Sequence, residues 1–302
     1  MNGVTTDMRY MREDLKQEYE RYHKMHPDIA ELAAPLMNVS DILRAYFILI
    51  DYFSDETANI EGETMLVGIR DMGLLASALG RQVVSFNGIA KYREPLDICA
   101  TLFYGLTKNH ALADGNKRTA LLILLYQLYC YGYRPIAGQK EFEKLVLAVA
   151  SNQLETSYPK MWGRSRGQDE TDRCVQTISR QLKCMVARKN NAFHINIMIR
   201  EFAAKINAIP GCSCETDGNK LKLQRVITHR RWFAKPVIET KKWTVAYIGD
   251  TRTIGAATVR EALEKLELYD QFADYQSFME GAEPCYSLIQ SFEGPLRRLK
   301  DK

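Results

Sequence analysis

No apolar stretch in this sequence is long enough to cross a bilayer. The longest, Thr119 to Tyr133, is bounded by Arg118 and Arg134 and broken by Gln127, short of the roughly 20 residues a membrane helix needs. On that ground no transmembrane role and no membrane partner are expected. Residues Met1 to Asp14 mix acids and bases without an apolar centre, so no secretory signal is expected and the protein reads as cytoplasmic. The seven cysteines lack CxxC or Cys/His spacing, and Cys212 with Cys214, the one close pair, cannot alone close a tetrahedral zinc site. Reduced, mostly buried thiols are expected. Charge of one sign is also missing. Against 41 lysines and arginines stand 37 acids, and a formal net charge of +4 is too little for a chain-wide polyanion binder. Internal repeats and low-complexity tracts are absent too.

What remains is an ordinary folded composition, 46% hydrophobic and 26% charged, over 302 residues, a length that predicts two domains. Thr6 to His23 has helix-forming composition with little apolar face and reads as a solvated arm over 1–39. From Ser40, a plausible N-cap, the run Ile42 to Phe53 predicts a mostly buried helix. Apolar stripes at helical spacing follow at Leu74, Leu75, Ala78 and Leu79, then at Ile98, Leu102, Phe103 and Leu106, and again at Phe142, Leu145, Val146 and Val149. Among them Ala120 to Tyr131 is apolar on every side and stops at Gly132, which predicts a central helix wrapped by the others. One interruption stands out: Val83, Val84, Ser85 and Phe86 precede Asn87-Gly88, a turn pair that predicts a short β-hairpin flap.

Residues 163–172 (GRSRGQDETD) carry no apolar side chain and read as a linker. Beyond it, Ile195 to Ile206 keeps helical spacing. Cys212 to Glu215 and Lys220 to Thr228 flank Asp217-Gly218 as a hairpin, Trp243 to Ile248 adds a strand, and Thr258 with Glu261 fits a capping box. The expected fold is therefore mainly α: an all-helical catalytic core over 40–162 with a hairpin flap, then a smaller α+β accessory domain over 173–302.

Chemistry concentrates in His110-Ala-Leu-Ala-Asp114-Gly115-Asn116-Lys117-Arg118-Thr119, polar where its surroundings are not. A helix starting here aims unpaired backbone N–H groups and the positive end of its dipole at one point, which makes an anion site. Glycine at 115 lets the backbone approach a phosphate, Asn116 can brace the loop, and Lys117 and Arg118 add cations. Asp114 is the candidate for a hard Mg²⁺ ion shared with phosphate oxygens, with an N-cap as its structural alternative. His110 is the candidate base, since imidazole titrates near neutral pH. Together these are the parts that phosphoryl or nucleotidyl transfer requires.

The stretch His110 to Arg118 resembles the Fic/Doc (Fido) signature, and Gly68 to Leu79 with Lys108-Asn109-His110 resembles its death-on-curing branch. The resemblance runs from about Ser40 to Pro135. It implies a Fido fold that uses ATP and Mg²⁺ to modify a Ser, Thr or Tyr hydroxyl of a protein target, with an antitoxin or inhibitory partner. In it His110 is the general base, Asp114 the metal ligand and Gly115, Asn116 and Lys117 the phosphate nest. Arg118 neutralises phosphate charge, and Val83 to Phe86 form the target-docking flap. Lys117 stands where adenylyl-transferring members have a second glycine, and Leu121 where they have a further arginine; Doc-type members share both, which favours kinase chemistry. Ala111 and Leu112 replace the customary Pro-Phe. Thr57 to Gly62 resembles an inhibitory pattern whose glutamate, here Glu61, lacks its arginine partner at Leu121.

Between Lys220 and Lys242 eight cations face one acid, with aromatics interleaved, so contact with RNA or DNA is one reading and a solvated sheet face the other. Three functions thus stay open: a Doc-like kinase acting as a toxin or defence effector, a Fic-type adenylyltransferase, or an inactive Fido protein that binds nucleic acid or a partner.

Overall fold

The computed structural model describes residues 11–26, 32, 35–54, 65–166, 169–188, 196–231, 234–268, 278–279 and 284–300. Nine helices lead the described chain: α1 (Glu13–Met25), α2 (Val39–Phe53), α3 (Met72–Gly80), α4 (Pro95–Asn109), α5 (Asn116–Cys130), α6 (Gln139–Ala150), α7 (Leu154–Ser157), α8 (Pro159–Arg164) and α9 (Glu170–Met185). Between α3 and α4 sits a two-stranded hairpin, β1 (Ser85–Phe86) and β2 (Ile89–Ala90), while β3 (Tyr133–Pro135) pairs antiparallel with β4 (Val186–Arg188). Further on come β5 (Ile197–Met198), α10 (Ile199–Asn207), β6 (Cys212–Asp217), β7 (Lys220–Arg231), β8 (Ala234–Ala246), β9 (Thr253–Ile254) and α11 (Ala256–Lys265). Two last helices, α12 (Pro284–Ser291) and α13 (Glu293–Arg298), complete the order. The expected class holds: a helical core with a hairpin, then a smaller α+β unit.

Helix α5 is the axle of the core. Leu121 to Leu125 and Leu128 are all buried, as a helix apolar on every side must be if neighbours surround it. Buried midway along its length, Gln127 donates through Nε2 to Gln82 Oε1 at 2.8 Å and to Pro35 O at 3.3 Å, so its N–H groups are paired. The chain leaves α5 through Gly132, whose φ of 75° only glycine adopts cheaply. Helix α2 begins earlier than Ser40 predicts, because Asn38 is the N-cap and its N–H donates to Asp41 Oδ2 at 2.9 Å.

Three boundaries differ from expectation. Helix α1 is not a solvated arm. Met11, Leu15, Tyr19 and Tyr22 recur on one narrow stripe that packs on Phe47 of α2, too thin to register in a charged sequence. The linker at 163–172 is not a domain boundary either. Asp169 caps α9, its carboxylate accepting from Asp172 N–H at 2.7 Å, and Val175, Ile178, Leu182 and Met185 return to the helical core. Finally, α12 and α13 fold back onto that same core through Cys285, Ile289, Leu296 and Leu299, so 173–302 is not one separate unit.

The smaller cluster joins Phe202 and Ile206 of α10, Val259 and Leu263 of α11, and Leu221 and Leu223 of the three-stranded antiparallel sheet β6-β7-β8. Ile197 and Met198 pair with β9 rather than extending a helix, and Ile195 lies outside the described residues. Gly255, not Thr258, caps α11; the helix starts before the expected capping box.

At the junction of these parts lies Asp51, fully buried on α2. Its carboxylate meets Arg12 Nε at 3.1 Å, the Tyr286 hydroxyl at 2.5 Å and the Arg200 guanidinium. Next to it Tyr52 and Arg252 both bond to Glu293 of α13.

Candidate active site

Helix α4 ends at His110, which adopts φ 50° and ψ 45°, a left-handed conformation that costs a non-glycine residue about 1–2 kcal/mol. The chain can hold it there because the loop that follows is pinned. Ala111 O accepts from Arg70 N–H and Asp71 N–H at 2.8 and 3.1 Å, and Ala113 N–H donates to Gly68 O at 3.0 Å. From the other side Asn116 closes the loop, its Oδ1 accepting from Leu112 N–H at 2.9 Å and its Nδ2 donating to Leu112 O at 3.0 Å. His110 is left exposed at the rim.

The strand segment that pairs with this loop is itself held by Tyr46, buried on α2. The Tyr46 hydroxyl donates to Leu66 O at 2.8 Å and accepts from Gly68 N–H at 3.1 Å. Burial pushes that hydroxyl up to about 12, so it stays a neutral donor. Sequence reasoning passed over Tyr46. The available signal was a hydroxyl in an otherwise apolar helix, which needs a partner once buried.

Gly115, with φ 75°, is the N-cap of α5, and a Cβ there would run into the tip of Met65. Asp114 is half-buried, and its Oδ1 accepts from Gly115 N–H at 2.6 Å; since Gly115 is itself the N-cap of α5, the carboxylate does not cap the helix. Lys117 and Arg118 fall in the first turn of α5. Cations at the positive end of a helix are opposed by its dipole, so this placement weakens the helix start unless something negative comes near.

Such groups come from the far end of the chain. Lys117 Nζ donates to Lys300 O at 2.9 Å, and Arg118 Nη2 donates to Arg297 O at 3.3 Å. Arg118 is only 3% exposed and lies 4.9 Å from the Phe53 ring centroid, with Arg297 5.2 Å from the same ring. Nothing in the sequence placed 297–300 beside 117–118. Leu121, one turn further on, is buried.

Among the described residues no cluster of three or more His, Cys, Asp or Glu could hold a metal alone. One hard carboxylate beside an anion site fits Mg²⁺ that arrives with phosphate oxygens, since that ion keeps few protein ligands. The predicted hairpin is present, turning at Asn87 (φ 49°) and Gly88 (φ 75°), but it is shorter than expected. Val83 ends a 3₁₀ turn and Val84 is irregular, leaving Ser85 and Phe86 as the strand; Phe86 is 79% exposed. At its foot opens a cavity of about 230 Å³ lined by Arg81, Lys91, Tyr92 and Asp172. Glu61 and the segment around it lie outside the described residues.

In the basic stretch of the second unit, Arg225, Lys222 and Lys241 are engaged by structure. Arg225 is buried and donates to Leu266 O at 3.1 Å and to Glu267 O, Lys222 pairs with Asp217, and Lys241 with Glu239 and Glu267. Trp232 and Phe233 lie outside the described residues. No helix among the described residues is long and apolar enough to cross a membrane.

A helical core that presents one pinned polar loop, a cation-bearing helix start and a short hairpin is the arrangement expected of a Fido domain. Residues 12–128 match the model of the Fic/DOC family, which places that part of the chain in the family. It is also similar to Toxin Doc of Mycolicibacterium smegmatis, 46% identical over 52 residues, which cover 17% of this chain and 40% of that protein. The match therefore spans less than half the length of that relative. No solved structure gives a significant match.

Proposed function

We propose that the protein is a Doc-like kinase that transfers the γ-phosphoryl group of ATP to a hydroxyl side chain of a cytosolic protein. The observation that carries this reading is the loop from His110 to Arg118: an exposed imidazole and a helix start bearing two cations are held on one pinned segment. In the proposed step His110 takes the proton of the target hydroxyl as its oxygen bonds to the γ-phosphorus. The bond from that phosphorus to the β–γ bridging oxygen breaks, and ADP leaves. Backbone N–H groups at the start of α5, with Lys117 and Arg118, hold the phosphates and balance the charge that develops. Asp114 would hold Mg²⁺, which supplies charge neutralisation on the phosphate oxygens.

Preference for the γ over the α position rests on Lys117, whose side chain fills space a polyphosphate uses beside glycine, and on Leu121, an apolar residue where adenylyl transfer draws on a second arginine. Similarity to Toxin Doc supports a toxin role, and with it an antitoxin partner. The test is parallel incubation of a cell lysate with γ- and α-labelled ATP. Label from the γ position alone should reach a protein, and His110→Ala should abolish it. Retained α label would replace the proposal with AMP transfer; absence of both labels would leave a binding protein.

A further inference from the structure

The cavity at the foot of the hairpin plays no part in the chemistry assigned to the loop at 110–118. Three elements meet in its wall: Arg81 precedes β1 and Lys91 and Tyr92 follow β2, Thr101 comes from α4, and Asp169 and Asp172 come from the start of α9. Lys91 and Asp169 are exposed, so the cavity opens to solvent. Its volume of about 230 Å³ suits one side chain rather than a nucleotide.

The charges in that wall are matched, with one exception. Asp172 Oδ1 accepts from Lys91 Nζ at 2.5 Å and from the Tyr92 hydroxyl at 3.2 Å. Asp169 is committed to capping α9, accepting from Asp172 N–H at 2.7 Å where the helix dipole favours a negative charge. Arg81 has neutral partners instead. Its Nε donates to the Thr101 hydroxyl at 3.3 Å, and its guanidinium lies 5.2 Å from the Tyr104 ring centroid. Among the described residues no carboxylate pairs with it. The side chain is also held in advance, because its stem crosses α4 at Gly105, where a Cβ would lie 2.9 Å from Arg81 Cδ. A cation already fixed by Gly105, Thr101 and Tyr104 has little freedom left to lose when an anion arrives.

We infer that this cavity receives a carboxylate side chain, Asp or Glu, of the target segment, and that Arg81 is the residue that selects it. The inference rests on the reading of the protein as a target-modifying transferase and adds a substrate preference to it. A carboxylate meets a planar guanidinium through charge-assisted N–H···O bonds, which a neutral or basic side chain cannot make. Thr101 stands nine residues before His110 on α4, about 13 Å at the helical rise. An extended segment covers that span in about four residues. The selected acid therefore stands about four positions from the hydroxyl that is modified.

The experiment offers a library of serine- and threonine-centred peptides, each flanking position varied in turn, to the full chain and to Arg81→Gln, Arg81→Lys and Arg81→Glu, with γ- and α-labelled ATP in parallel. Thermal melts confirm that each variant is folded, and calorimetry follows ATP·Mg²⁺ binding. Wild type should label peptides with Asp or Glu at one position three to five residues from the hydroxyl about 10- to 100-fold more than peptides with Ala there. Arg81→Gln keeps most of the stem without the charge and should lose that preference at unchanged ATP affinity. Arg81→Lys should retain it, and Arg81→Glu should turn it toward Lys and Arg. A wild type without acidic preference, a wild type that selects basic side chains, or an unchanged preference in Arg81→Gln overturns the inference and leaves the transfer reading intact. If label reaches proteins of a cell lysate but no peptide, the lysate decides: a rate lowered about tenfold in Arg81→Gln and recovered in Arg81→Lys supports the inference, and equal rates overturn it. No transfer of either label by the wild type defeats the transferase reading itself, and the inference falls with it.

Discussion

Two regions of this molecule collect arginines and lysines, and they use them in opposite ways. In the β-sheet unit Arg225 lies at the end of α11, where its guanidinium meets the carbonyls of Leu266 and Glu267, the electrostatically favoured place for a cation. Its neighbours Lys222 and Lys241 each find a carboxylate. At the start of α5 the polarity is reversed: Lys117 and Arg118 crowd the positive end of a helix. A cation count alone does not separate the two clusters: Arg225, Lys222 and Lys241 are answered where a helix end or a carboxylate favours a cation, whereas Lys117 and Arg118 reach the carbonyls of Lys300 and Arg297 from a helix start that disfavours one. What marks a site is charge that the local fold disfavours.

Breaking the loop should produce the largest effect. Asn116→Ala leaves Leu112 N–H and C=O buried without their partners, and should cost about 3 kcal/mol in urea unfolding and abolish transfer. Arg225→Ala should cost about 2 kcal/mol, because it uncaps α11, yet leave the transfer rate of the folded protein unchanged. Lys117→Ala is the sharpest inversion of that result: stability within about 0.5 kcal/mol of wild type, transfer lowered about 10- to 100-fold. Equal effects of Lys117→Ala and Arg225→Ala on transfer would erase the distinction between the two regions.

A smaller effect concerns acid. Burial raises the Glu293 carboxyl, but hydrogen bonds from Arg252, Arg297 and Tyr52 outweigh it and hold the group below its ordinary 4.5. Its folded pKa is depressed, so its contribution is present above that ordinary value and lost as pH falls through the lower folded one. Unfolding measured from pH 6 down to pH 3 should therefore show a loss that Glu293→Gln flattens. Smallest of all is Lys222→Ala, whose exposed pair with Asp217 should change stability by no more than about 0.5 kcal/mol.

Much of this was readable beforehand, for identifiable reasons. Helix α5 announced itself because a helix apolar on all sides has one place to go, and the hairpin because Asn-Gly supplies two positive φ angles in succession. The polar loop was visible as contrast against apolar flanks. Hidden were features that depend on who packs against whom. The stripe of α1 is two tyrosines and two short-range partners in a charged background. Helix α9 begins inside a polar stretch, 163–172, that looked like a break, with Asp169 as its cap. The placement of α13 on the site depends on contacts between residues about 180 positions apart, and local pattern carries no information on these.

Asp51 has a practical consequence for anyone dividing this chain. Its three partners, Arg12, Arg200 and Tyr286, come from the beginning, the middle and the end of the sequence. A fragment that stops after β4 would keep Arg12 alone and carry a carboxylate into an apolar interior short of two partners, a defect of about 3–5 kcal/mol in comparable cases. Expressing the family-matched portion by itself is therefore a poor route to a well-behaved sample. During synthesis, too, this acid waits for Tyr286 until 235 further residues have been added.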